Sequence, residues 1–139
     1  MRKSFAVLVL VVLLLALTVP AGAQDETPAL TVSDQASVNG MVVIDSVTAN
    51  ANGWVVVHAD VAGSPGPVIG IAPVAAGAAT GVGVMIDMGG ATTMLHVALH
   101  VDDTTMGAFE HERNPAADPP VMAGDQPLMA AFGLTGFRA

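Results

Sequence analysis

The 139-residue chain has no cysteine and no tyrosine, and only one tryptophan and four phenylalanines. Without cysteine there is no disulfide framework, no thiolate metal site and no thiol nucleophile. With so few aromatics, any core must be built from Val, Ala, Ile, Leu and Met. Lysine is missing beyond Lys3, and the only later side-chain cations are Arg113 and Arg138. All twelve carboxylates lie beyond residue 23, so that part of the chain carries a net charge of −10, against −8 for the whole. Such a surface repels phosphate backbones and anionic lipid heads, which argues against nucleic acid and membrane surfaces as partners. It attracts cations, and it keeps a protein soluble, which is the commoner use. Nucleophilic chemistry finds no footing either. There is no GxSxG elbow, Ser33, Ser37, Ser46 and Ser64 have no neighbouring histidine in the sequence, and Gly81, Gly83, Gly89 and Gly90 do not open a helix that would cradle phosphate. The expectation is a protein that is not an enzyme.

What is present begins with a targeting pattern. Arg2 and Lys3 precede an unbroken apolar run, Phe5–Leu17, followed by Pro20 and the small-residue pattern Ala21-Gly22-Ala23. This predicts a cleavable signal peptide over residues 1–23. The run extends about 20 Å as a helix, short of the roughly 30 Å hydrocarbon core, so no membrane insertion is expected after cleavage. No cysteine follows it, which excludes a lipoprotein anchor. The expected address is extracytoplasmic: secreted, periplasmic or at the cell surface. The remaining chain divides into a short lead-in over 24–29, one domain over 30–135 and a tail over 136–139.

Within that domain no stretch keeps a capped 3.6-residue period. Leu30–Val32 reads as a first strand, and Asn39-Gly40 as a turn. Met41–Thr48 reads as a second strand, with Val42 and Ile44 competing against Val43 and Val47 for the inward face. Trp54–Val61 is too apolar to have a wet face and belongs inside its sheet. Gly63–Pro67 reads as a loop, Val68–Ile71 as a short strand held near an edge by Pro67 and Pro73, and Ala75–Ala79 as a small, flexible link. Val82, Val84, Ile86 and Met88 alternate with more polar or smaller residues, which predicts a strand with one buried face. Met106–His111 reads as a further short strand, Glu112–Gln126 as the longest loop, and Leu128, Ala130, Phe132 and Leu134 as the inward residues of the last strand. About seven to eight short strands at this spacing predict an all-β, antiparallel two-sheet β-sandwich.

The clearest strand lies in Thr92–Glu112, which holds three of the four histidines. Leu95, Val97, Leu99 and Val101 alternate with Met94, His96, Ala98, His100 and Asp102, so the first set is expected in the core and His96 and Asp102 more exposed. Around it stand, in order, LTVSDQ (Leu30–Gln35), VIDSVTA (Val43–Ala49), GWVVVHAD (Gly53–Asp60), PGPVIGIAPVAAG (Pro65–Gly77), and LHVD (Leu99–Asp102) followed by GAFE (Gly107–Glu110). This series resembles the exported domain of unknown function 7282 (DUF7282), carried by archaeal and bacterial envelope proteins. The resemblance spans Leu30 to Phe132 and rests on ordered strands and turns, not on a catalytic signature. It implies an immunoglobulin-like fold and an extracytoplasmic address, and no known activity. His58 and His100 stand where such sequences often show VVxH and LHVD. Glu110–Pro120 departs from the shorter phenylalanine-proline-glycine stretch expected there.

Metal ligation is the sharpest chemical reading. Imidazole with soft thioether suits copper. His96 and His100 are four apart on a strand, about 13 Å, and cannot share one ion, whereas Met94 and His96 are about 7 Å apart and can. A cross-strand partner such as His58 would have to complete any site, and the metal reading uses His58 and His100 with Met94 or His96. The plain alternative makes Met85, Met88, Met94 and Met129 packing residues in a core short of aromatics. Calcium is the other candidate ion, at the rim carboxylates Asp102, Asp103 and Glu110 with Glu112 and Asp118, although turn aspartates mostly just form turns. HERNP at His111 fails as a zinc motif, because Pro115 takes the second histidine's place and resists the helix required. Trp54 reads as a core anchor rather than a ligand platform. The expected function is a non-catalytic secreted or envelope interaction module without a cofactor, whose partner is another protein or an envelope component. Extracytoplasmic calcium or copper binding is the alternative. The loop Glu112–Gln126 and the turn Asp102–Thr105 are the expected contact surfaces.

Overall fold

The computed structural model describes residues 27–103 and 106–136. The expected signal peptide lies outside the described residues, within which no helix is long and apolar enough to cross a membrane. The described chain is all-β. Its strands are β1 (Ala29–Thr31), β2 (Gln35–Ala36), β3 (Met41–Ala49), β4 (Gly53–Val61), β5 (Ser64–Val74), β6 (Gly77–Met85), β7 (Met94–Val101), β8 (Met122–Ala123), β9 (Gln126–Pro127) and β10 (Met129–Thr135), with one 3-10 turn at Met88–Gly90. They form a three-stranded sheet in the order β1-β3-β6, a five-stranded sheet in the order β2-β10-β7-β4-β5 and a small β8-β9 ribbon. All pairings are antiparallel except that of β2 with β10.

Each sheet contributes one face to a single cluster of buried side chains. Val42, Ile44, Val47, Ala49, Val84 and Ile86 come from the three-stranded side, and Val55, Val57, Leu95, Val97, Leu99, Phe132 and Leu134 from the five-stranded side. The alternation expected along β7 therefore holds for Leu95, Val97 and Leu99, all fully buried, while Val101 is only half-buried. β4 is flanked by β7 and β5, as its unbroken apolar run requires, and Val55, Val56 and Val57 are all fully buried. The competing parities of β3 are both correct: Val42 and Ile44 point inward before Asp45, and Val47 and Ala49 after Ser46. The register carries Asp45 past Gly81, whose φ of 61° is left-handed. A strand kinked there can change which face it buries.

Several boundaries differ from those expected. Ala62-Gly63 takes the chain back within two residues, with φ of 52° and 88°. That is the twist a tight hairpin needs, so Ser64–Pro67 is strand and not loop. β5 is an edge strand, which accommodates its prolines. The Ala75–Ala79 link shortens because β6 already begins at Gly77. β6 ends at Met85, before the 3-10 turn. Met106–His111 is not a strand. Its backbone donors go to side chains instead: Gly107 N–H donates to Asp102 Oδ2 at 2.8 Å and Glu110 N–H to Asp118 Oδ2 at 2.7 Å. Donors satisfied by carboxylates cannot also build a ladder.

Candidate functional site

The outward face of the five-stranded sheet is the second face of β7 and β4. Register pairs Trp54 with His100, Val56 with Ala98 and His58 with His96, and pairs Met129 and Ala131 of β10 with Ala98 and His96. Period two puts all of these on one surface. Most of that surface is covered, although Ala131 is exposed. His96 is 9% exposed and not solvated as expected, Trp54 is 8% exposed, and Val56, Ala98 and His100 are buried. Trp54 is therefore an anchor, but outside the core between the sheets.

The cover is the chain between β7 and β10. Phe109 meets Trp54 and His100 edge-on, with ring centres 6.0 Å and 5.3 Å apart. His111 stands edge-on to His100 at 4.8 Å. Residues 119–121 run beside the end of β7: Val101 N–H donates to the Pro119 carbonyl, and Val121 N–H to that of Leu99. Asp118 holds this cover down. It is fully buried, and its φ of 46° is left-handed. Its two carboxylate oxygens accept from Asp103 N–H at 3.0 Å and Glu110 N–H at 2.7 Å, and its own N–H donates to Asp103 Oδ1 at 2.9 Å. A buried carboxylate is tolerated where it accepts such hydrogen bonds.

Three histidines are oriented in the same way. The Nδ1 of His100 lies 2.8 Å from the Asp118 carbonyl, that of His111 3.0 Å from the Ala117 carbonyl, and that of His58 2.9 Å from the Gly66 carbonyl. A carbonyl only accepts, so each Nδ1 carries a proton, and Nε2 is the nitrogen that holds the lone pair whenever the ring is neutral. Burial lowers the pKa of His100 from its ordinary value of 6.5; the Asp118 carbonyl and carboxylate oppose this, and positive charge on His111 or His58, when protonated, reinforces it. The three rings, with Met129, line a cavity of about 180 Å³ whose other lining residues are Ala98 and the prolines Pro65, Pro120 and Pro127.

The sequence-predicted ligands separate into three places. His58 and His100 meet in this cavity. His96 does not join them: its Nε2 is 2.7 Å from Asp60 Oδ1, an ion pair when the ring is protonated. Met94 is 41% exposed. Met85 is exposed too, so the packing role expected of these two methionines does not hold, whereas Met88 does pack against the core. Asp102, Asp103 and Glu110 belong to the clasp around Asp118, where Asp102 Oδ2 and Asp103 Oδ1 accept backbone N–H groups. Among the described residues no three His, Cys, Asp or Glu side chains are grouped to hold a metal ion. Asp102 Oδ1 and the Trp54 indole N–H are buried without a hydrogen-bond partner, and both residues line a larger cleft of about 590 Å³ with Asn52, Pro73 and Met106. His111 and Met129 escaped the sequence reading as partners of His100. The outward parity of Met129, opposite to Leu128 and Ala130, was the available signal.

A family model matches residues 28–135, described as Domain of unknown function (DUF7282). The chain belongs to this family. No curated protein matches it, and no solved structure does. Membership in DUF7282 assigns no reaction, so function must be argued from the surfaces and the cavity.

Proposed function

We propose that this DUF7282 chain is a non-catalytic, extracytoplasmic interaction module built on an immunoglobulin-like β-sandwich. The strand order supports the fold reading. β1-β3-β6 opposite β10-β7-β4, with β5 beyond β4, matches the A-B-E and G-F-C-C′ order of immunoglobulin-type domains, without their inter-sheet disulfide. The basic n-region, apolar run and Ala-Gly-Ala pattern of residues 1–23 support the address.

The observation that carries the interaction reading is the outward face of the three-stranded sheet. Met41 pairs with Met85 and Val43 with Gly83 across β3 and β6, and the Met41 sulfur occupies the space beside Gly83, 2.8 Å from where a Cβ would stand. Val38 joins Met41 through a β-bridge. All four apolar side chains are exposed, from 38% at Met41 to 68% at Val38. A contiguous apolar patch on a chain so rich in carboxylates is characteristic of a binding face. The acidic surroundings select a protein partner with an apolar centre and a basic rim. This moves the contact surface away from Glu112–Gln126, part of which is committed to covering the other sheet.

Titrating labelled protein onto washed envelopes of the source cells tests this. Saturable binding is expected, weakened at least ten-fold by Val43→Glu with Met85→Glu, with thermal unfolding little changed. Equal binding by both proteins would refute the reading, and self-association lost in the same variant would make a second copy the occupant. Calcium at Asp102, Asp103 and Glu110 has less support, since their loop is closed by carboxylate–backbone hydrogen bonds. The imidazole cavity favours the soft-metal alternative, developed next.

A further inference from the structure

We infer that the cavity under the loop is a copper(I) site, with His100, His111 and Met129 as ligands and His58 as the neighbouring imidazole. It is independent of the apolar face on the other sheet.

Three observations converge. The first is the tautomer. A metal-binding histidine ordinarily donates its non-ligating N–H to a carbonyl or carboxylate, which fixes the ring and leaves the other nitrogen basic. His100 and His111 do so to two nearby carbonyls of one loop, those of Asp118 and Ala117, and His58 does so to Gly66. The second is spacing. Rings bound to one ion through nitrogen at about 2.0 Å stand about 5 Å apart centre to centre, and His100 and His111 are 4.8 Å apart. The third is the donor set. Met129 brings a thioether into the same cavity, and the cavity's lining includes no carboxylate. Imidazole with thioether, and no hard oxygen, selects a soft, singly charged ion over zinc or calcium. Two nitrogens and a sulfur suffice for copper(I), a closed-shell ion that accepts low coordination, so no triad of His, Asp or Glu is needed.

Packing alone explains less. A loop pinned by Phe109 on Trp54 does not need three imidazoles and a sulfur around one hole lined otherwise by prolines and alanine. Since the chain has no thiol, the main competing soft donors are its other methionines, several of them exposed on distant surfaces.

The test titrates copper(I) anaerobically into the metal-free full-length protein against a chromophoric copper(I) chelator. One equivalent should be withdrawn from the chelator. Met129→Leu, which keeps apolar volume, and His111→Ala should each weaken binding at least ten-fold, while Met94→Leu should leave it unchanged. Copper X-ray absorption should show one sulfur with two imidazole nitrogens, and the sulfur shell should vanish in Met129→Leu. Failure to compete with the chelator would overturn the site. So would affinity unchanged in Met129→Leu, a spectrum without sulfur, or tighter binding of zinc than of copper(I). Should His111→Ala fail to fold, Met129→Leu and its spectrum decide.

Discussion

The two outward faces of this molecule have similar raw material and different fates. The face of the five-stranded sheet carries Trp54, Val56, Ala98 and Met129, and the chain between β7 and β10 folds over it. The face of the three-stranded sheet carries Met41, Val43 and Met85, and they remain exposed. The difference is not hydrophobicity. It is that one sheet is followed in sequence by a long connection that can reach back, closed by Asp118. β3 and β6 have no such connection, because short turns hold their ends. An apolar face with its own cover becomes an interior, and an interior can hold histidine rings in fixed orientations. An apolar face left bare must serve a partner or be tolerated as a liability.

The largest effect expected from breaking this contrast is at the clasp. Asp118→Ala leaves the Asp103 and Glu110 N–H groups without acceptors. It should cost toward the lower end of about 2–6 kcal/mol in chemical denaturation, at about 1–3 kcal/mol for each group left unsatisfied, since both are only part-buried. Trp54 is the sole tryptophan, so uncovering the face should shift its fluorescence to the red in the still-folded variant. An unshifted spectrum with lost stability would mean that Asp118 stabilises its loop without keeping the sheet covered.

A matched pair of substitutions sharpens the comparison. Val56 is fully buried on the covered face and Val43 is 41% exposed on the bare one. Val→Thr keeps the branched shape and replaces a methyl with a hydroxyl. At Val56 it should cost about 1–3 kcal/mol for a buried polar group, and at Val43 less than about 0.5 kcal/mol. Equal costs at the two positions would erase the distinction between the faces.

The smallest effect lies at the rim of the covered face. The hydrogen bond to His96, helped by Gly63 N–H, lowers the pKa of Asp60 below its ordinary 3.8. A carboxylate depressed in the folded state stabilises it above the ordinary carboxylate range, and that stabilisation is lost as pH falls through the folded-state value. Asp60→Asn should therefore lower the melting temperature slightly between about pH 5 and 7, where the carboxylate is ionised, and flatten its decline below about pH 4, where the two proteins converge. A parallel decline in both proteins would show that the pair contributes nothing.

Much of the fold was legible because strand periodicity is local. The inward sets Leu95-Val97-Leu99 and Phe132-Leu134 follow from alternation alone, as does the interior position of β4 from its unbroken apolar run. β3 could not be assigned a single parity because it has two, and the change occurs at Asp45, beside a left-handed Gly81 on another strand. Met106–His111 misled because its composition suits a strand, while its hydrogen bonds are taken by Asp102 and Asp118. His96 was expected in solvent because a polar residue on an alternating strand usually faces water. Here the ring turns to the Asp60 carboxylate at 2.7 Å and is buried beside it.

By itself, then, the sequence determined the all-β class, the residues that meet between the sheets, and the exclusion of thiol chemistry, since composition and period two act along the chain. It also supplied His58 and His100 as candidate ligands. Only the tertiary structure decided that His58 and His100 share a cavity with His111 and Met129, and that His96 belongs to Asp60 instead. Those groupings depend on cross-strand register and on where a loop lands, and both are set by contacts between residues far apart in the chain.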